Sequence, residues 1–132
     1  MAESLNAGLY SPLTLAYLGD SVFDLIVKSH FVFAENKQVE KYHKEVIKIV
    51  NARHQARFMD TYMDRLTDEE LSVFKRGRNA SVHTKAKNAS MAQYKKATGF
   101  EALIGYLYLS GNKERINELM ELMWNMPDEE ES

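Results

Sequence analysis

Residues Ser11–Phe33 read SPLTLAYLGDSVFDLIVKSHFVF, and the fold follows from how this stretch must be buried. Ser11 before Pro12 is a helix start. The serine hydroxyl accepts a free backbone N–H of the first turn, and proline at the first helical position forfeits no hydrogen bond. Leu15, Leu18, Val22, Leu25 and Ser29 recur at three/four spacing, and Leu13, Ala16, Tyr17, Phe23, Ile26, Val27 and His30 fill the other faces. A helix apolar nearly all round is expected at the centre of a domain. Asp20 and Asp24 are its only carboxylates. A buried ionised carboxylate is costly unless it is paired, hydrogen-bonded or bound to a metal. Asp24 has Lys28 four residues on, in the favourable order, and reads as structural. Asp20 has no such partner, and Gly19 beside it leaves space for a backbone, an ion or a ligand to approach.

A second stretch poses the same problem. Phe100–Leu109, FEALIGYLYL, is apolar on most faces, with one carboxylate, Glu101, and a glycine, Gly105. If the two helices pack side by side, Asp20 and Glu101 can face each other. Two like charges in a poorly solvated site favour a shared proton or a bound cation. Oxygen ligands without cysteine suit a hard ion such as Mg2+.

The rest of the chain bounds this reading. At 132 residues and 45% hydrophobic, it is expected to form one domain with an ordinary core, residues 1–126, followed by an acidic disordered tail, 127–132. With no cysteine, thiolate catalysis, disulfides and zinc–thiolate sites are excluded. The N-terminus does not read as a signal peptide, and no apolar run approaches the ~18 residues of a membrane span. A soluble cytoplasmic protein with no membrane association is expected.

The net charge of −2 hides an asymmetry. Between Lys75 and Phe100 lie Lys75, Arg76, Arg78, Lys85, Lys87, Lys95 and Lys96 and no acid, while the remaining residues hold ten Lys/Arg and all nineteen Asp/Glu. A local basic segment in an acidic protein favours a polyanion contact over a merely solvated loop.

Taken in order, residues 1–10 read as a lead-in with at most one helical turn, and the first helix runs from about Pro12 to Phe33. Val39 to Val50 is amphipathic, Asn51 can cap a helix from Ala52 to about Arg65, and Thr67 with Glu70 forms a capping box. That helix is expected to end near Gly77, with Arg78–Asn88 as loop by composition or, alternatively, holding a short helical turn. Ser90 can cap Met91–Ala97, and Thr98-Gly99 is expected to break or bend the chain before the Glu101 helix. Gly111 terminates that helix, and Asn112 opens a last one through Ile116, Leu119, Met120, Met123 and Trp124. No alternating strand pattern stands out, so the fold class is all-α, with about six or seven helices.

Motif searches exclude several chemistries. There is no phosphate-binding glycine loop, nucleophile elbow or dinucleotide fingerprint. Glu40 and His43 form one E-x-x-H, but di-iron bundles need two such pairs and further glutamates, so the pair reads as a surface helix face. His30, His54 and His83 lack metal-ligand spacing, although His83 lies in the basic segment. The seven methionines sit at helical spacing and read as core fillers.

Leu15-Ala16-Tyr17-Leu18-Gly19-Asp20-Ser21-Val22 resembles the signature of the ribonuclease III catalytic domain, roughly E-x-x-E-F-L-G-D-A-V. Phe100-Glu101-Ala102-Leu103-Ile104-Gly105 resembles that family's second motif, F-E-A-L-I-G, with fitting order and spacing. Arg76-Gly77-Arg78-Asn79-Ala80 is similar to a segment of the Mini-ribonuclease III branch. The likeness covers about residues 5 to 125. Ala16, Leu13 and Thr98 stand where larger relatives carry acids, so only Asp20 and Glu101 of the family's acidic cluster are present. No separate double-stranded-RNA-binding domain is expected.

The resemblance implies an all-α homodimer that cuts double-stranded RNA with Mg2+, leaving 5′-phosphate and 3′-hydroxyl ends. In the Mini branch it implies maturation of both ends of the 23S ribosomal RNA precursor, with a ribosomal protein presenting the RNA as a further candidate partner. Asp20 and Glu101 are then the catalytic and metal-holding pair, and Tyr17, at the signature's aromatic position, belongs to the dimer interface or, alternatively, to the core. Lys75, Arg76, Arg78, Asn79, Lys85 and Lys87 are the expected RNA-binding residues. The competing expectation is a non-catalytic double-stranded-RNA-binding protein of the same fold.

Overall fold

Every helix start that the sequence marks with a capping side chain is used. In the computed structural model, which describes residues 6–81 and 89–129, α1 spans Pro12–Ala34, α2 Val39–Ile49, α3 Ala52–Tyr62, α4 Asp68–Ala80, α5 Met91–Leu109 and α6 Lys113–Trp124. Short 3-10 turns occupy Ala7–Leu9 and Met63–Arg65. Among the described residues there is no strand, and no helix is long and apolar enough to cross a membrane. Ser11 accepts the N–H of Thr14, Asn51 that of His54 and Asn112 that of Arg115. Thr67 with Glu70 and Ser90 with Gln93 form reciprocal capping boxes. Gly111, at φ 73°, closes α5 in the left-handed conformation.

Three expectations are corrected. The first concerns which helix is central. α5 is buried along most of its length from Ala97 to Leu107, with α1, α3 and α4 packed around it. α1 is buried only on the face carrying Leu15, Ala16, Gly19, Phe23 and Val27; Leu13, Tyr17, Leu25, Val32 and Phe33 are exposed. Second, α4 continues through Gly77 to Ala80, so Arg78 and Asn79 are helical. Gly77 is there for packing, since a Cβ on it would lie 2.7 Å from the Ala102 Cβ and 3.0 Å from the Gly99 Cα. Third, α5 runs unbroken through Thr98-Gly99, because Gly99 seats the Phe74 ring, which a Cβ would meet at 2.7 Å. Small residues where helices touch look in sequence like helix stops.

The main core is aromatic at its centre. Phe23 and Phe58 each meet Phe100 edge-on, with ring centroids 5.0 and 5.3 Å apart, an arrangement that adds to area burial. Val27, Met59, Phe74, Leu103, Ile104 and Leu119 complete it. One buried ion pair ties the bundle's far side. Glu70, 4% exposed, accepts two hydrogen bonds from Arg115, at 2.8 and 2.9 Å, and the same guanidinium donates to the Arg65 carbonyl. Asp24 pairs with Lys28 at 2.9 Å, and His30 stacks on Trp124 at 3.9 Å. Glu40 and His43 are exposed on α2.

Candidate active site

The site begins with two glycines. A Cβ built on Gly19 would lie 1.7 Å from the Glu101 carbonyl oxygen, and one on Gly105 would lie 2.0 Å from the Leu15 carbonyl oxygen. α1 and α5 therefore cross backbone against backbone, closer than any side chain permits. The approach at Gly19 is to a backbone, which settles the three possibilities its sequence position left open. Asp20, next to Gly19, and Glu101, on the turn that Gly19 touches, are thereby held together.

Asp20, Gln55, Thr98 and Glu101 line one hollow, with Asn51 and Tyr94 at its edge. The sequence placed Asp20 in the core, but its side chain is exposed, and Glu101 is the more buried of the pair. Burial, and then the facing Asp20 carboxylate, push the Glu101 carboxyl up from about 4.5 to about 8. Gln55, 3% exposed on the first turns of α3, faces the same carboxyl and pulls in the opposite direction. Sequence reasoning did not single out Gln55. Its only local signal is a polar residue on the face of α3 that otherwise carries Ala52, Ala56 and Met59.

Thr98, at a position where larger relatives carry an acid, is 8% exposed and fully engaged. It donates to the Tyr94 carbonyl and meets the Ser81 hydroxyl, both at 3.1 Å, so it joins the end of α4 to α5. No group of three or more His, Asp or Glu side chains gathers into a metal-binding cluster among the described residues. The site offers two carboxylates, with the Gln55 amide donating to that of Glu101. This fits a hard cation that keeps some of its water, and a carboxyl kept protonated near neutrality by burial and then by an adjacent carboxylate is where a cation could replace a proton.

The expected RNA-binding residues divide. Lys75, Arg76 and Asn79 are exposed on α4. Arg76 reaches the Gly8 carbonyl at 3.3 Å, and Arg78 lies over the Phe74 ring at 5.6 Å. Lys85 and Lys87, with His83, lie outside the described residues. Lys96 is tied to Asp60 at 2.7 Å, so the basic segment is not uniformly available. Tyr17 is 83% exposed, which removes its core alternative. Beside it on α1, a groove of about 430 Å³ is lined by Leu18, Val22, Leu25, Ile26, Tyr108 and Ile116 among others.

The helical bundle sets one carboxylate from each of two glycine-crossed helices into a shared hollow. Residues 13–112 match the ribonuclease III domain family. Curated relatives named Mini-ribonuclease 3 are similar over most of the chain. That of Clostridium tetani is 45% identical, covering 90% of this chain and 80% of its own, and that of Brevibacillus brevis is 46% identical, covering 88% and 87%. The crystal structure of a Fusobacterium nucleatum protein superposes with a TM-score of 0.82 at 28% identity, covering 92% of this chain and 97% of that one. The chain belongs to the Mini-ribonuclease 3 family, within the ribonuclease III fold. It is an endoribonuclease, from a family that acts on double-stranded RNA.

Proposed function

We propose that this protein hydrolyses duplex RNA with Mg2+ held by Asp20 and Glu101, and that its cellular substrate is the 23S ribosomal RNA precursor, trimmed at both ends. The observation that carries the chemistry is the Asp20–Glu101 pair, brought together by the Gly19–Gly105 crossing, with the Glu101 carboxyl pushed up to about 8. Mg2+ supplies activation of water and charge neutralisation at the phosphate. The chain's own residues do the rest. Glu101, once deprotonated, and Asp20, open to solvent where substrate can reach it, would hold the ion, and Gln55 hydrogen-bonds the Glu101 carboxyl. In-line attack of a water, which gives up a proton, forms the new oxygen–phosphorus bond and breaks the bond to the 3′ oxygen, which takes up a proton, leaving a 3′-hydroxyl and a 5′-phosphate.

The ribosomal substrate rests on the similarity to Mini-ribonuclease 3 proteins. Duplex RNA is read by shape and phosphate contacts, and exposed Lys75, Arg76 and Asn79, with Arg78, Lys85 and Lys87, are assigned to them. Residues 1–126 are taken as the catalytic domain. A second copy is proposed to cover the exposed Tyr17, Leu13 and Leu25 and the adjoining groove, since exposed apolar patches mark interaction sites and a two-fold dimer buries the same patch on both copies. Such a dimer sets two sites against two antiparallel strands.

The deciding experiment is Mg2+-dependent cleavage of a long RNA duplex, followed by cleavage of a precursor transcript carrying both 23S ends. Loss of cleavage in Asp20→Asn with helicity and duplex binding intact supports the assignment. Binding without cleavage by the parent protein would establish the non-catalytic alternative.

A further inference from the structure

On the other side of Asn51 from the carboxylates, the surface changes sign. Lys48 of α2 and Arg53, His54 and Arg57 of α3 line a shallow hollow of about 160 Å³, and Asn51 lies in the wall of both hollows. The His54 Nε2 is buried with no hydrogen-bond partner among the described residues, and a buried polar atom of this kind calls for an explanation. Burial, and then the Arg57 charge, hold that imidazole below its ordinary pKa, with Glu129 opposing them.

The hollow is covered by the chain's own acidic end. Arg53 Nη2 donates to Glu129 Oε1, and Arg57 Nη1 donates to the Pro127 carbonyl, each at 2.6 Å. Two guanidinium groups in the wall of the hollow thus each donate to an oxygen of the same short segment, and guanidinium donors of this kind also take phosphate oxygens. The tie is weak by its setting. The Arg53 and Glu129 side chains are 59% and 49% exposed, and an ion pair so open to water is readily exchanged.

We propose that the Lys48–Arg53–His54–Arg57 hollow is a phosphate subsite for the RNA strand that passes Asp20 and Glu101, and that the 127–129 segment competes with RNA for it. The inference rests on the duplex-RNA reading above. It adds a second cationic footprint, on α2 and α3, separate from the one on α4. It also makes the acidic end of the chain a competitor, whose carboxylate must leave before a phosphate can enter.

The test is binding of a blunt RNA duplex by the full chain in EDTA, where no cleavage occurs, titrated at several salt concentrations. Arg53→Ala/Arg57→Ala is expected to weaken binding about tenfold and to make the slope of log affinity against log salt shallower by about one to two units. Glu129→Gln is expected to strengthen binding about two- to fivefold, and that gain should vanish in the arginine-free background. If the double variant is unfolded by circular dichroism, Arg53→Gln alone, at an exposed position, carries the test with about half the slope change. A parent that binds duplex while all variants match its affinity and slope overturns the subsite. A Glu129→Gln gain that persists without the arginines overturns the competition, since it is then general charge repulsion. A parent that binds no duplex refutes the functional reading itself, and the subsite with it.

Discussion

Replacing Gly19 with alanine adds one methyl group at the point on which the site depends. Its Cβ would lie 1.7 Å from the Glu101 carbonyl oxygen, 2.7 Å from the carbonyl carbon and 2.8 Å from the Gly105 nitrogen. All three are backbone atoms inside α5, so no rotamer change relieves the clash. Real Cβ contacts essentially never fall below 3.0 Å, so α1 and α5 must separate by at least about 1.3 Å. A gap of ~1 Å forfeits a quarter to a half of each dispersion contact across it, and the contacts at risk include Leu15 and Ala16 against Ala102 and Phe23 against Phe100. Overpacking of this kind costs about 1–3 kcal/mol, and here the rigid partner favours the upper end. Alanine's better helix propensity returns about 1 kcal/mol. The expected net loss is about 2 kcal/mol, read as a lower midpoint in urea with unchanged slope. Cleavage should suffer more than stability, because an ångström of misplacement between catalytic groups costs about a hundredfold. Gly8→Ala is the control, since its Cβ would meet only the end of the Asn6 side chain at 3.3 Å. A Gly19→Ala protein with the parent's unfolding midpoint and cleavage rate would falsify the claim that backbone contact at this glycine builds the site.

Four further outcomes are expected. Because the folded-state pKa of Glu101 is raised, to about 8, its protonated form favours folding. Its contribution to metal-free stability should be full below about pH 4.5 and fall by up to ~1.4 kcal/mol per pH unit until the pH passes about 8, over and above the Glu70 pair, whose lowered carboxyl pKa makes its contribution fade in acid; Asp20→Asn should flatten the Glu101 part of that fall in urea titrations, and an equally steep fall would remove Asp20 as a cause. By the same linkage a cation must displace the Glu101 proton, so raising Mg2+ should shift the rising limb of the cleavage pH profile downward, and a profile indifferent to Mg2+ would detach Glu101 from the metal. Arg115→Ala, which strands a carboxylate that is 4% exposed, should cost about 3–5 kcal/mol in denaturant unfolding, whereas Asp24→Asn, which breaks only the partly exposed pair with Lys28, should change stability by less than ~0.5 kcal/mol and leave cleavage intact. Tyr17→Asp should shift sedimentation from dimer to monomer while helicity is retained; an unchanged sedimentation coefficient would move the interface elsewhere.

Helix starts were legible in the sequence because a cap is a local device: Ser11, Asn51, Thr67, Ser90 and Asn112 each satisfy backbone N–H groups within three residues of themselves. The all-α class was legible for the same reason, since the three/four apolar spacing is a property of neighbouring turns. Asp20 and Glu101 stood out as carboxylates among apolar residues beside a glycine, a conflict visible without any coordinates. What the sequence could not show was anything that depends on which helix lies against which. Gly77 and Gly99 read as a stop and a break, and only the seating of Ala102 and Phe74 against them turns both into continuous helix. α1 read as buried all round because hydrophobicity does not say whether the covering surface belongs to the same chain, and its outward face carries Tyr17. Gln55 and the α3 arginines were missed because their meaning lies in residues some 46 to 76 positions away, at Glu101 and Glu129. The chemistry of each residue is written locally, but the sign and burial of its surroundings are set by the crossing of α1 over α5, and that crossing exists only in three dimensions.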